Sequence, residues 1–130
     1  MPAPPLPDEL QQVLANPNPA VIGTVAPDGT PNTVATWYLW EDGRVLVNMD
    51  ASRARLDYLR KDPRVSLTVL DGGDWYRHVS IRGRVVSLEP DEELKDIDRL
   101  CRHYRDQDYP SRNPRFSAWI EVDTWHAWNA

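Results

Sequence analysis

The sequence predicts a small, mainly β domain in which six antiparallel strands curl into a closed or split barrel, with two or three helices on its flanks. Three observations lead there. Apolar residues recur at every second position over much of the chain, most cleanly at Val65, Leu67 and Val69, which is the period of a half-buried strand. Short turn signals, Pro27-Asp28-Gly29-Thr30, Glu41-Asp42-Gly43 and Asp71-Gly72-Gly73-Asp74, join consecutive runs, and tight turns pair neighbours antiparallel. Gly83 interrupts the longest run, as a bulge or barrel bend requires. A length of 130 residues allows one domain with a core of its own.

Six of the twelve prolines lie in the first nineteen residues. Residues 1–7 read as a mobile arm, and residues 8–130 as one domain. Residues 8–16 predict a short amphipathic helix, with Asp8 as N-cap and Leu10, Val13 and Leu14 inward. Ala20–Ala26 is a buried-type strand. Pro31–Trp40, rich in Thr, Val and aromatics, is a second, and Arg44–Asn48 a third. Ser52 is placed to cap a helix over Ser52–Lys61, which Asp62-Pro63 ends. Arg64–Leu70 and Tyr76–Leu88 follow as strands. Pro90 and the acids Asp91, Glu92 and Glu93 suit the start of a helix to about Arg105. Residues 106–115 are polar loop, Phe116–Val122 is the last strand, and Trp125–Trp128 is an aromatic tail.

Composition narrows the function classes. Net charge is −5, whereas a general nucleic-acid binder carries a basic face. The single cysteine, Cys101, permits neither an internal disulfide nor a thiolate zinc site, and it falls on the apolar side of a predicted helix. His78, His103 and His126 match no metal spacing, and no G-x-S-x-G, P-loop or G-x-G-x-x-G is present. No leader-like segment and no bilayer-length apolar run are seen. The expectation is a cytoplasmic protein without membrane or nucleic-acid partners.

Against that acidic background one segment stands out: Asn48-Met49-Asp50-Ala51-Ser52-Arg53-Ala54-Arg55. It leaves a strand and opens a helix. Backbone N–H groups and the dipole at a helix start attract anions, and guanidinium groups grip phosphate bidentately. Cations at that end are otherwise unfavourable, so an anion would remove a conflict; the plainer reading is two arginines solvating a helix start. Trp75 to Val85 brings aromatics and arginines to a strand, suited to a planar ring, a second subunit or an ordinary outward face. Six tryptophans are spread over several strands.

The ordered set of pieces resembles the pyridoxamine-5′-phosphate-oxidase-like split-barrel proteins, and more closely their small actinobacterial branch that uses coenzyme F420. Gly29-Thr30-Pro31 leads the second strand, Ser52-Arg53-Ala54-Arg55 opens the helix, and Leu59 to Leu67 follows. Tyr76-Arg77-His78-Val79 then leads to Ile81-Arg82-Gly83-Arg84-Val85. The likeness runs from about Ala20 to Trp128. It implies an FMN-binding type of split barrel, a homodimer, and two cofactor sites between subunits. By this resemblance Ser52, Arg53 and Arg55 would hold the cofactor phosphate. Val34, Ala35, Thr36, Trp37, Asn48 and Met49 would lie along its ring system, and Tyr76 and Arg77 would come from the other subunit. The implied activity is an F420-dependent oxidoreductase passing a hydride to a small conjugated organic substrate. The alternatives are an FMN-dependent oxidase or reductase of the same fold, or a non-catalytic flavin- or deazaflavin-binding protein. No catalytic side chain and no metal are implied.

Overall fold

The computed structural model describes residues 1–128. Helix α1 spans Asp8–Ala15, and strands β1 and β2 span Ala20–Val25 and Pro31–Thr36. Strands β3 and β4 span Leu39–Glu41 and Arg44–Asp50, and helix α2 spans Ala54–Lys61. Strands β5 and β6 span Arg64–Asp71 and Asp74–Pro90, helix α3 spans Lys95–Arg105, and strand β7 spans Arg115–Trp128.

All strands form one antiparallel sheet in the order β2-β1-β5-β6-β7-β4-β3. Its two edges, β2 and β3, are neighbours in sequence, joined only by Trp37 and Tyr38. Three Cα steps reach at most about 11 Å. A flat sheet of this width would hold the edges about 29 Å apart, at ~4.8 Å per strand gap. The sheet must therefore curl until its edges almost meet. No ladder joins β2 to β3, so the barrel is split.

The core fills the curl. Ile22, Val45, Val47, Leu67, Val69, Val79, Ile81 and Ile120 are inside it, with Leu10 and Leu14 of α1 and Leu56 and Leu59 of α2. Strand β4 is buried on both faces from Val45 to Met49. Val45, Val47 and Met49 join the core. On the opposite face Asn48 Nδ2 donates to Asp91 Oδ2 at 3.0 Å, at the approach to α3. Tyr38 is fully buried between the sheet's edges, and its hydroxyl donates to Asn16 O. Gly83 sits where the β6–β7 register shifts. A Cβ there would lie 2.1 Å from the Glu121 carbonyl oxygen, so the bend depends on a residue without one.

The structure adds a strand and moves several boundaries. The second predicted strand breaks at Trp37-Tyr38 into β2 and β3, giving seven strands rather than six, because the chain crosses there from one sheet edge to the other. The predicted tail Trp125–Trp128 is the end of β7, paired with His78 to Ile81. Pro90 closes β6 instead of opening a helix. Glu93 and Leu94 then adopt left-handed conformations, and α3 starts only at Lys95. The Asp91 carboxylate accepts the backbone N–H groups of Asp96 and Ile97 at 3.0 and 2.9 Å, taking the capping role from outside the helix. The segment 1–7 lies against the barrel: Leu6 is buried, and the Trp125 backbone N–H donates to Pro2 O.

Candidate functional site

A cleft of about 880 Å³ opens beside the β2 edge of the sheet. Strand β2 and its exit supply Val34, Ala35, Thr36 and Trp37, and β4 supplies Asn48, Met49 and Asp50. Helix α2 adds Arg55 and its N-cap residue Arg53, α3 adds Leu100 and Tyr104, and the chain entering β7 adds Tyr109 and Arg115. Such a volume fits an organic ligand of cofactor size.

One end of the cleft is cationic. The Arg55 Nε and Nη1 atoms are shielded from solvent and have no hydrogen-bond partner among the described residues. Burial, then the charges of Arg53 and Arg115, disfavour the Arg55 cation and push its pKa down. Shielded guanidinium nitrogens without a partner are costly, and these sit in the first turn of α2, where the dipole also opposes the charge. Asp50 does not offset it. Its carboxylate accepts the Ser52 hydroxyl at 2.6 Å and the Ser52 N–H at 2.9 Å, and those bonds hold its pKa below the usual carboxylate value.

The rest of the wall is aromatic. Trp37 stacks on Tyr104 with centroids 5.4 Å apart and meets Tyr109 edge-on at 6.2 Å. The Tyr104 hydroxyl donates to Asn18 O at 2.7 Å, and burial pushes its pKa up to about 12. Tyr109 is held by the loop before β7. Its N–H donates to Asp98 Oδ1 at 2.9 Å, and Arg112 forks onto both Asp98 oxygens at 3.0 and 3.2 Å.

Eight of the eleven expected cofactor residues line this one cleft: Val34, Ala35, Thr36 and Trp37 from β2 and its exit, with Asn48, Met49, Arg53 and Arg55 from β4 and the start of α2. Their side chains do different work. Val34 is 48 % exposed, whereas Met49 is 1 % exposed and belongs to the core. The Asn48 amide is committed to hydrogen bonds. Ser52 does not line the cleft, and it is not the helix cap; its hydroxyl is taken by Asp50, and Arg53 occupies the N-cap position. Tyr76 and Arg77 are on the β5–β6 hairpin, away from this lining. Tyr76 stacks on Trp75 at 4.4 Å, and Arg77 pairs with Asp71 at 3.6 Å. Sequence reasoning missed Tyr104, Tyr109 and Arg115. Arg115 reaches the site because β4 pairs with β7 and sets Asp50 opposite it, a long-range pairing with no local signal. Among the described residues no group of His, Cys, Asp and Glu is arranged to hold a metal ion. Among the described residues no helix is long and apolar enough to cross a membrane.

A curled, incompletely closed antiparallel sheet with a cationic cleft at its β2 edge defines the class: a split-barrel protein. The family follows from the sequence, since a model of the pyridoxamine 5′-phosphate oxidase family matches residues 6–129. The chain belongs to that family. No match is found among curated proteins. Among solved structures, an F420 reductase is similar over 93 % of this chain and 98 % of its own, with a TM-score of 0.86 and 24 % identity. A conserved hypothetical protein from Mycobacterium tuberculosis, also 24 % identical, is similar over 97 % of this chain and 86 % of its own, with a TM-score of 0.73. General stress protein 26 from Bacillus anthracis is 19 % identical, with a TM-score of 0.69 over 94 % of this chain and 92 % of its own. At such identities these likenesses establish the fold.

Proposed function

We propose that the protein is an F420-dependent oxidoreductase that passes a hydride from reduced deazaflavin to a small conjugated organic substrate. The observation that carries the reading is Arg55, a shielded guanidinium with two unpartnered nitrogens at a helix start, beside Arg53. An anionic cofactor group would give those nitrogens the partner that the fold withholds. The similarity to an F420 reductase favours the deazaflavin over other phosphate-bearing ring systems.

The cofactor supplies the hydride chemistry when bound. The chain binds and orients. Arg53 and Arg55 fix the anionic end, β2 offers the exposed apolar surface of Val34 and Ala35 to a flat ring, and the Trp37–Tyr104 stack bounds the cleft. Neither Asp50 nor Tyr104 is a ready acid. Ser52 favours the ionised form of Asp50, and the Tyr104 hydroxyl is engaged in donating a hydrogen bond to Asn18 O.

We read the working protein as a homodimer in which Tyr76 and Arg77 of each subunit approach the other's cleft. Trp75 and Tyr76 are 62 % and 57 % exposed, and a stacked aromatic pair standing in water suits an interface. Light scattering tests this: a dimer is expected, and a dilution-independent monomer would refute it.

The decisive experiment is titration with F420 and FMN side by side, followed by an enone, quinone and tetrapyrrole panel with reduced F420. Tight F420 binding and turnover are expected. The Arg53→Ala/Arg55→Ala double variant should lose about 3 kcal/mol or more of binding, at ~1.5–3 kcal/mol per charged hydrogen bond. Unchanged affinity in that variant would falsify the site. Preference for FMN, or binding without turnover, would replace the activity with one of the two alternatives of the same fold.

A further inference from the structure

Arg115 is built into the cleft more firmly than either arginine of α2. Its Nε donates to Asn48 Oδ1 at 2.6 Å, and its guanidinium stacks over the Tyr109 ring at 4.9 Å. Asn48 cannot turn. Its Nδ2 donates to Asp91 Oδ2 at 3.0 Å and to Ser117 Oγ at 3.1 Å, and Asp91 is in turn tied to the backbone that opens α3. A carboxylate only accepts and a guanidinium only donates, so the two partners fix which way the amide faces.

The identity of the clamp matters. Among the described residues seven of the thirteen arginines form ion pairs: Arg60, Arg64, Arg77 and Arg84, then Arg99, Arg102 and Arg112. Arg115 forms none among the described residues. It is held by a neutral amide, which orients the group without an ion pair, and Asp50 opposite it on β4 acts on it only through space. Its Nη atoms make no hydrogen bond among the described residues, and they share the cleft with Arg53 and Arg55.

We propose that Arg115 is a third anion-binding residue of the cleft and that Asn48 is its positioning residue. The ligand group is an anion whose charge answers three guanidinium groups at once. The inference rests on the proposed anionic cofactor, and it adds β7 and the start of α3 to a seat otherwise made by α2.

The test measures dissociation constants for F420 and FMN in parallel, on wild type, Arg55→Gln, Arg115→Gln, Asn48→Ala and the Arg115→Gln/Asn48→Ala double variant, each checked for folding by thermal melting. Arg115→Gln is expected to weaken binding about 10- to 100-fold. Asn48→Ala should weaken it about tenfold. The double variant should be no worse than Arg115→Gln alone, because Asn48 acts through Arg115. If Asn48→Ala does not fold, Ser117→Ala removes one anchor of the amide and should weaken binding only where Arg115 is present. Wild-type affinity in Arg115→Gln with impaired Arg55→Gln overturns the proposal and leaves the α2 seat standing. Additive losses overturn the positioning role. Wild-type affinity in both single arginine variants, or no binding by wild type, overturns the cofactor seat itself.

Discussion

Replacing Arg55 by methionine should stabilise the ligand-free protein while removing its response to the cofactor. The side chain is comparable in length and carries no charge. In the ligand-free state the native residue leaves two shielded nitrogens unpartnered, at ~1–3 kcal/mol for an unsatisfied buried group. It also places a cation in the first turn of α2, at ~0.3–1 kcal/mol. Arg55 keeps some exposure, which trims the first figure, so the net gain is about 1–2 kcal/mol. For a domain of this size that raises Tm by roughly 3–8 °C. The assay is thermal unfolding with and without F420. At a hundredfold excess over Kd, wild type should gain about 2.7 kcal/mol from ligand, and Arg55→Met much less. The two melting curves should therefore cross over as ligand is added. A lower Tm for ligand-free Arg55→Met, or an undiminished ligand shift, would show that Arg55 is satisfied by the fold and that no anion is needed beside it.

Two further perturbations test how the site is held. Gly83→Ala forces a Cβ to within 2.1 Å of Glu121 O, a backbone atom that cannot step aside. It should cost about 3 kcal/mol by overpacking, whereas Gly43→Ala, in open space at φ 76°, should cost about 1–2 kcal/mol of left-handed strain; chemical denaturation ranks them, and equal losses would contradict the bend at Gly83. The Arg112 hydrogen bonds hold the Asp98 carboxyl below its ordinary pKa. The stabilisation is thus complete above the unfolded value of ~3.9 and lost as pH falls through the folded one. The protection factor of the Tyr109 amide, its exchange rate relative to that of an unfolded amide at the same pH, should fall in acid below about pH 4 in wild type, and Asp98→Asn should show weak protection at every pH; wild-type protection that does not change with pH would disprove the latch.

Much of the barrel was legible because it is written locally. The Val65-Leu67-Val69 alternation, the Asp-Gly turns and the break at Gly83 each encode their own conformation, and the structure places all three as read. The errors fall where a distant group decides. Ser52 looks like a cap by position, but Asp50 reaches its hydroxyl first. Pro90 and three acids look like a helix start, but Asp91 turns back to cap from outside and the backbone passes through two left-handed residues before α3. The break at Trp37-Tyr38 has no proline or glycine to mark it; it exists because the sheet's edges come together there. Arg53 and Arg55 were visible as a conflict between charge and dipole. Arg115 was not, since its meaning depends on β4–β7 pairing across the chain.

The split in the barrel and the cationic cleft are best understood as one feature. A fully closed sheet would pair β2 with β3. Here β2 instead has its residues 31–35 exposed, apolar Val34 and Ala35 among them. The unpaired edge, the exposed apolar pair and the unpartnered Arg55 are each unfavourable for a protein that only has to fold. They meet in a single cleft, bounded by a stacked tryptophan and tyrosine. Three independent departures from folding economy at one place are hard to explain by packing, because a pairing strand and an acid beside Arg55 would remove all three. A ligand with an anionic end and a flat apolar body resolves the last two together and occupies the space beside the first, so the departures have a common cause in binding.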